Sequence, residues 1–179
     1  MLIKSVFAGF GGQGVLSMGL NLAEAAMLEG KFVTYLPAYG AEVRGGTANC
    51  TVAISDEEIA SPVASSPEFI VVMNQPSLAR FENQLQSGGV LLLNSSLVDG
   101  ETRREDIEVV KVPANATAEK LGNARAANMV MLGAFTARSR LVSLTTIIER
   151  MKELLQDKPR LITANEAALK AGYDMAKRE

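Results

Sequence analysis

Glycines carry the first chemistry in this chain. Gly9, Gly11 and Gly14 keep the spacing G-x-G-x-x-G inside the run Gly9-Phe10-Gly11-Gly12-Gln13-Gly14. An apolar stretch, residues 2–8, precedes the run, and a helix-forming stretch starts at Val15. Without Cβ atoms, the turn lets backbone N–H groups approach a diphosphate, and the helix N-terminus adds a favourable dipole. A nicotinamide site also needs an acid about twenty residues on, at the end of the second strand. No Asp or Glu lies between Glu29 and Glu42, and no Walker Lys-Ser/Thr follows the glycines. That argues against NAD and against an ATPase. Two readings stay open: a turn facing a phosphate-bearing ligand or a partner loop, or a tight turn that lets the first helix pack on the sheet. Gln13 is the distinguishing residue, because its amide both donates and accepts at the mouth of the turn.

A second cluster, Tyr39-Gly40-Ala41-Glu42-Val43-Arg44-Gly45-Gly46, follows the second predicted strand. In a parallel sheet it falls on the same carboxyl edge as the glycine run, where ligands of open α/β sheets collect. Arg44, with Gly45 and Gly46 beside it, offers a guanidinium to phosphate or carboxylate, and Glu42 can orient it. The plainer reading is a surface turn with a solvated ion pair. Asn74 and Asn94 follow the strands expected at 69–73 and 90–93, and either amide alone reads as a helix cap or turn former. Their coincidence on one edge is the signal. Asn128, inside an Ala- and Met-rich helical stretch, either bonds a loop or borders the site.

Absences exclude whole classes. The chain has no His, one Cys and no Trp. A His general base, a His metal ligand and a Cys-rich iron–sulfur or zinc site therefore cannot come from these residues. Cys50 lies in an alternating run and reads as buried packing. With 5% aromatics and a net charge of −2, neither stacking nor charge favours nucleic acid or an anionic membrane. No apolar run reaches membrane-span length, and the first residues do not read as a signal peptide. A lone thiol fits a cytoplasmic setting.

The elements that must position these groups fall into one domain over residues 1–179. Strands are expected at 2–8, 31–36, 47–55, 69–73, 90–93 and 109–112, with a polar loop at 37–46. Helices are expected at 15–28, 76–85, 116–121, 124–138, a stripe from Leu144 to Leu155 capped by Ser143, and 165–177. Residues 99–106 read as a solvated loop. Early alternation of strand and helix gives an α/β fold of three layers, Rossmann-like, with a mostly parallel sheet. The helical C-terminal third packs across that sheet.

The glycine run, the Tyr39–Gly46 cluster, Ser61-Pro62, Met73-Asn74-Gln75 and Gly122-Asn123-Ala124-Arg125 with the stretch from Asn128 to Gly133 occur in an order that resembles the gamma subunit of 2-oxoacid:ferredoxin oxidoreductases. The resemblance spans nearly the whole chain and looks closest to the 2-oxoglutarate type, through Arg44-Gly45-Gly46-Thr47 and Met73-Asn74-Gln75. It implies a complex that decarboxylates a 2-oxoacid oxidatively, forms acyl-CoA and reduces ferredoxin. It implies thiamine diphosphate and magnesium between alpha and beta subunits, and iron–sulfur clusters on other chains or a ferredoxin-like delta subunit. This chain would be non-catalytic, contributing to assembly and to the coenzyme A side. Its candidate contacts are Gly9, Gly11, Gly12, Gln13, Gly14, Tyr39, Gly40, Glu42, Arg44, Gly45, Asn74, Asn94 and Asn128. The rivals are the small subunit of indolepyruvate:ferredoxin oxidoreductase, a stand-alone nucleotide- or flavin-binding protein, and a pure assembly scaffold.

Overall fold

The computed structural model describes residues 1–40 and 46–177. Its elements run β1 (Leu2–Phe10), α1 (Val15–Leu28), β2 (Phe32–Tyr39), β3 (Thr47–Ser55), β4 (Phe69–Val72), α2 (Gln75–Phe81), β5 (Val90–Asn94), β6 (Glu108–Val112), α3 (Ala114–Lys120), α4 (Ala127–Ser139), α5 (Leu144–Leu154) and α6 (Pro159–Ala176). The strands form a single sheet in the order β2-β3-β1-β4-β5-β6.

β4 pairs parallel with β1 and β5, and β6 parallel with β5. β3 is antiparallel to both β1 and β2. The other strands therefore share one direction, and β3 alone opposes them. The cause is chain length. Only residues 40–46 separate β2 from β3, too few for a parallel crossover of roughly a dozen residues or more. Because β2 runs with β1, Phe10 opposite Thr47 and Tyr39 opposite Ala48 lie at the same carboxyl edge.

The two faces of the sheet carry separate cores, as period-2 alternation dictates. On one face Phe7, Cys50, Val52, Val71 and Leu92 pack against α1 and the C-terminal helices. Phe135 of α4 sits on the middle of this face, its ring 5.1 Å from that of Phe7 and 5.4 Å from that of Phe69. On the other face Val6, Ala8, Ile70, Leu91 and Leu93 meet Leu78 and Phe81 of α2. Residues 69–72 are apolar without a break because β4 is covered on both sides. α4 and α6 cross with their backbones in contact: a Cβ on Gly133 would strike the Leu169 carbonyl, and one on Gly172 the Val130 carbonyl.

Several boundaries differ from the sequence reading. β2 continues through Pro37 to Tyr39 instead of ending at Leu36. Proline is tolerated there because β2 is an edge strand, bonded to β3 alone. β1 reaches Phe10, since its last two residues pair with Thr47 and Ala48 of β3. α6 starts at Pro159, six residues before the expected Asn165, with the proline in its first turn. Residues 124–126 form a 3-10 turn ahead of α4, and 82–84 another after α2. The Ser143 cap is as expected: its hydroxyl accepts from Thr146 N at 3.1 Å.

Candidate functional site

The glycine run forms the turn from β1 into α1. Gly12 and Gly14 adopt φ of 93° and 73°, left-handed values that favour glycine. Gly9 is required by space, since a Cβ there would approach Gln13 Oε1, Val15 Cγ2 and the Met73 Cβ at 2.6–2.9 Å. A Cβ on Gly14 would collide with the Asn128 carboxamide, whereas Gly12 has open space around it. Gly11 N donates to Gly46 O at 2.9 Å, tying the turn to the start of β3. Among the described residues, nothing accepts from the N–H of Gly12 or Gly14. Gly14 caps α1 without a side-chain hydrogen bond. The edge thus offers free donors beside a helix N-terminus.

The amides expected at this edge converge, and they bond chiefly to the chain itself. Gln13 Oε1 accepts from Phe10 N at 2.7 Å and from Asn74 Nδ2 at 3.0 Å, while Gln13 Nε2 donates to Met73 O at 3.4 Å. Asn74 Oδ1 accepts from Ser77 N at 2.9 Å, capping α2. Asn94 is fully buried; its Nδ2 donates to Met73 O and Asn115 Oδ1, and its Oδ1 accepts from Ser96 N and Ala114 N. Asn128 Nδ2 donates to Gly14 O at 3.3 Å, fastening α4 to the turn. These amides tie the ends of β1 and β4 together, cap α2, and join the end of β5 to the start of α3. Tyr39 is 74% exposed at the same edge, and Gly40 N donates to Thr47 O at 2.8 Å. Glu42, Arg44 and Gly45 lie outside the described residues.

A cavity of about 470 Å³ opens here, lined by Gly12, Gln13, Met73, Asn115, Ala124, Arg125 and Ala127. β1 is followed by α1 on one face and β4 by α2 on the other. The cavity therefore lies at the switch point outside the carboxyl ends of the strands, where such folds bind ligands. Arg125 is exposed, and its guanidinium bonds to none of the described residues. Sequence reasoning passed over Arg125 as a site residue, although it closes the quoted Gly122–Arg125 motif; Asn115 carried no signal at all. Burial pushes the Cys50 thiol up to about 12, so it is no nucleophile. Among the described residues, no three His, Cys, Asp or Glu side chains could together hold a metal ion. No described helix is long and apolar enough to cross a membrane.

Fold and site define a class: an open-sheet α/β domain whose carboxyl edge presents, among the described residues, backbone donors, amides and the unbonded guanidinium of Arg125. Known proteins narrow it. Residues 4–175 match the family model described as pyruvate ferredoxin/flavodoxin oxidoreductase, and the chain belongs to that family. It is 39% identical over 181 residues to ketoisovalerate oxidoreductase subunit VorA of Methanothermobacter marburgensis, covering 98% of this chain and 37% of that protein. The chain thus spans little more than a third of the length of that curated relative. It is 37% identical over 175 residues to 2-oxoglutarate synthase subunit KorC of the same organism, covering 94% of this chain and 93% of the other. The crystal structure of a keto/oxoacid ferredoxin oxidoreductase gamma subunit from Geobacter sulfurreducens superposes with a TM-score of 0.82 at 29% identity, covering 97% and 98% of the two chains.

Proposed function

We propose that this chain works as the gamma subunit of a multi-subunit 2-oxoacid:ferredoxin oxidoreductase and shapes the coenzyme A side of its site. The reaction would convert a 2-oxoacid to acyl-CoA with electrons passed to ferredoxin. The observation that carries the coenzyme A role is the switch-point cavity, with the N–H groups of Gly12 and Gly14 and the Arg125 guanidinium around it, none of which bonds to a described residue. Phosphate is the chemistry these groups suit: short backbone donors, a helix N-terminus and a guanidinium. Arg44 and Tyr39, from the neighbouring loop and strand end, are proposed to face the same ligand.

With one Cys and no His in the chain, its residues do not fit an iron–sulfur cluster. Thiamine diphosphate, magnesium and the clusters are proposed to sit on alpha, beta and ferredoxin-like delta chains, in a cytoplasmic complex. 2-Oxoglutarate is the proposed substrate, because the KorC relative matches this chain over 93% of its own length. The second reading, a branched-chain 2-oxoacid, is favoured by the 39% identity to VorA. Acyl-CoA formation from 2-oxoglutarate against 3-methyl-2-oxobutanoate separates the two. For the coenzyme A role, the test is Arg44→Ala in the reconstituted complex. The coenzyme A KM should rise by about tenfold or more, as expected for a lost charge-assisted contact, with the 2-oxoacid KM unchanged. An unchanged coenzyme A KM would remove Arg44 from the site.

A further inference from the structure

Asn115, in the first turn of α3, lines the switch-point cavity together with Gly12, Gln13 and Arg125. A chain of hydrogen bonds fixes which way its amide points. Asn94 is fully buried, and its Oδ1 accepts from two backbone donors, Ser96 N at 3.3 Å and Ala114 N at 3.2 Å. A flip of Asn94 would lose both bonds, because an NH2 group cannot accept. Its Nδ2 therefore donates, to Asn115 Oδ1 at 2.8 Å and to Met73 O at 3.4 Å. Asn115 is fixed in turn, since its own flip would set one NH2 group against another. Its Oδ1 is spent on Asn94, and its Nδ2 bonds to none of the described residues. Asn115 is half-buried, and Nδ2 is not among the orphan polar atoms sealed from solvent, so this donor stays open on a side chain that lines the cavity.

The other amide on the cavity is committed in the same sense. Gln13 Oε1 already accepts from Phe10 N and Asn74 Nδ2. Among the described residues, both side-chain amide oxygens at this cavity are thus engaged, and no carboxylate lines it. What remains is donors: Asn115 Nδ2, the Arg125 guanidinium and the Gly12 N–H. Such a surface fits a group that only accepts, whereas a hydroxyl or amide brings a donor hydrogen for which these side chains hold no free oxygen.

We propose that Asn115 is a ligand-binding residue of this cavity, donating from Nδ2 to an anion whose exposed atoms are all acceptors, with Arg125 supplying the opposite charge. The inference rests on the coenzyme A reading for the source of that anion, and deepens it with a contact that selects ionised oxygens. The phosphates of coenzyme A and the carboxylate of a 2-oxoacid share this chemistry, and the experiment separates the two sources.

Two substitutions distinguish a ligand contact from a brace. Asn115→Asp keeps an oxygen for Asn94 and turns the open donor into a charged acceptor. Asn115→Ala removes the donor and also strands Asn94 Nδ2, whose other bond, to Met73 O, is long. The probe is inorganic diphosphate, titrated calorimetrically into the full chain and into the assembled complex saturated with thiamine diphosphate. Saturable binding is expected, about fivefold weaker in Asn115→Ala and about tenfold or more weaker in Asn115→Asp. Urea midpoints should rank the two the other way, with Asn115→Ala the less stable. Asn115→Asp retains the bond to Asn94, so its comparison with the unaltered chain stands even if Asn115→Ala fails to fold. In the complex, a coenzyme A KM that rises in Asn115→Asp while the 2-oxoacid KM holds makes the phosphates of coenzyme A the source. A rise in the 2-oxoacid KM alone keeps Asn115 as an anion contact and removes coenzyme A from this cavity. Absence of saturable diphosphate binding in both chain and complex, weaker binding by Asn115→Ala than by Asn115→Asp, or two KM values unmoved in Asn115→Asp overturns the proposal.

Discussion

Gln13→Ala tests whether the glycine turn is held by its own amide. The substitution removes acceptor bonds of 2.7 Å to Phe10 N and 3.0 Å to Asn74 Nδ2, and a longer donor bond of 3.4 Å to Met73 O. At about 1 kcal/mol for each good bond, with less for the long one, the expected loss is about 2–3 kcal/mol. Asn74 is only 4% exposed, so water replaces its lost partner poorly. For a chain of 179 residues this corresponds to a Tm lower by about 4–12 °C. Urea denaturation followed by circular dichroism measures it, with an unchanged slope showing that the unfolded state is not altered. Asn74→Ala should share the Gln13–Asn74 bond, so the double variant should lose less than the sum of the singles, by about 0.5–1.5 kcal/mol. A single-variant loss below about 0.5 kcal/mol, or strict additivity, would refute the brace.

Gly14→Ala should destabilise by more than about 2 kcal/mol, from left-handed backbone strain plus collision with Asn128, while Gly12→Ala, strained but unobstructed, should cost about 1 kcal/mol; thermal unfolding ranks them. Gly172→Ala forces α6 off the Val130 carbonyl and should lose about 3 kcal/mol or more, read from the urea midpoint. Hydrogen bonds from Lys152 and Lys170 hold the Glu166 carboxyl down at about 2, from an ordinary 4.5. Its contribution to stability is therefore full above pH 4.5 and is lost as pH falls from there towards 2, so Glu166→Gln should flatten part of that decline in a Tm–pH series.

Local signals in this sequence translate directly into structure. Glycine at positions 12 and 14 matches two left-handed backbone sites, and Ser143 caps its helix because its hydroxyl reaches Thr146 N. The apolar run of β4 is buried on both faces. Non-local facts were not legible. The short 40–46 connection sets the reversal of β3 against β2, but the placement of β3 between β2 and β1 is a matter of strand order. The extension of β2 through Pro37 depends on its position at the edge, which is a property of strand order. The amides were read as a cluster on one edge, and the structure brings them there. Their spacing did not disclose that Asn94 spends both polar atoms on Met73, Ser96, Ala114 and Asn115. Arg125 emerges only when the 3-10 turn before α4 places it on the cavity that Gly12 also lines.

The most direct test of the central claim uses Gly12→Asp in the assembled complex. No described residue lies within 4 Å of a Cβ at Gly12, so the substitution adds a negative charge to the carboxyl edge without a clash among them, at the backbone strain already assigned to Gly12→Ala. If the edge faces the phosphates of coenzyme A, the coenzyme A KM should rise by about tenfold or more, with the 2-oxoacid KM and subunit stoichiometry unchanged. An unaltered coenzyme A KM, or loss of assembly with normal kinetics in whatever complex remains, would contradict the account and make the glycine edge a docking turn.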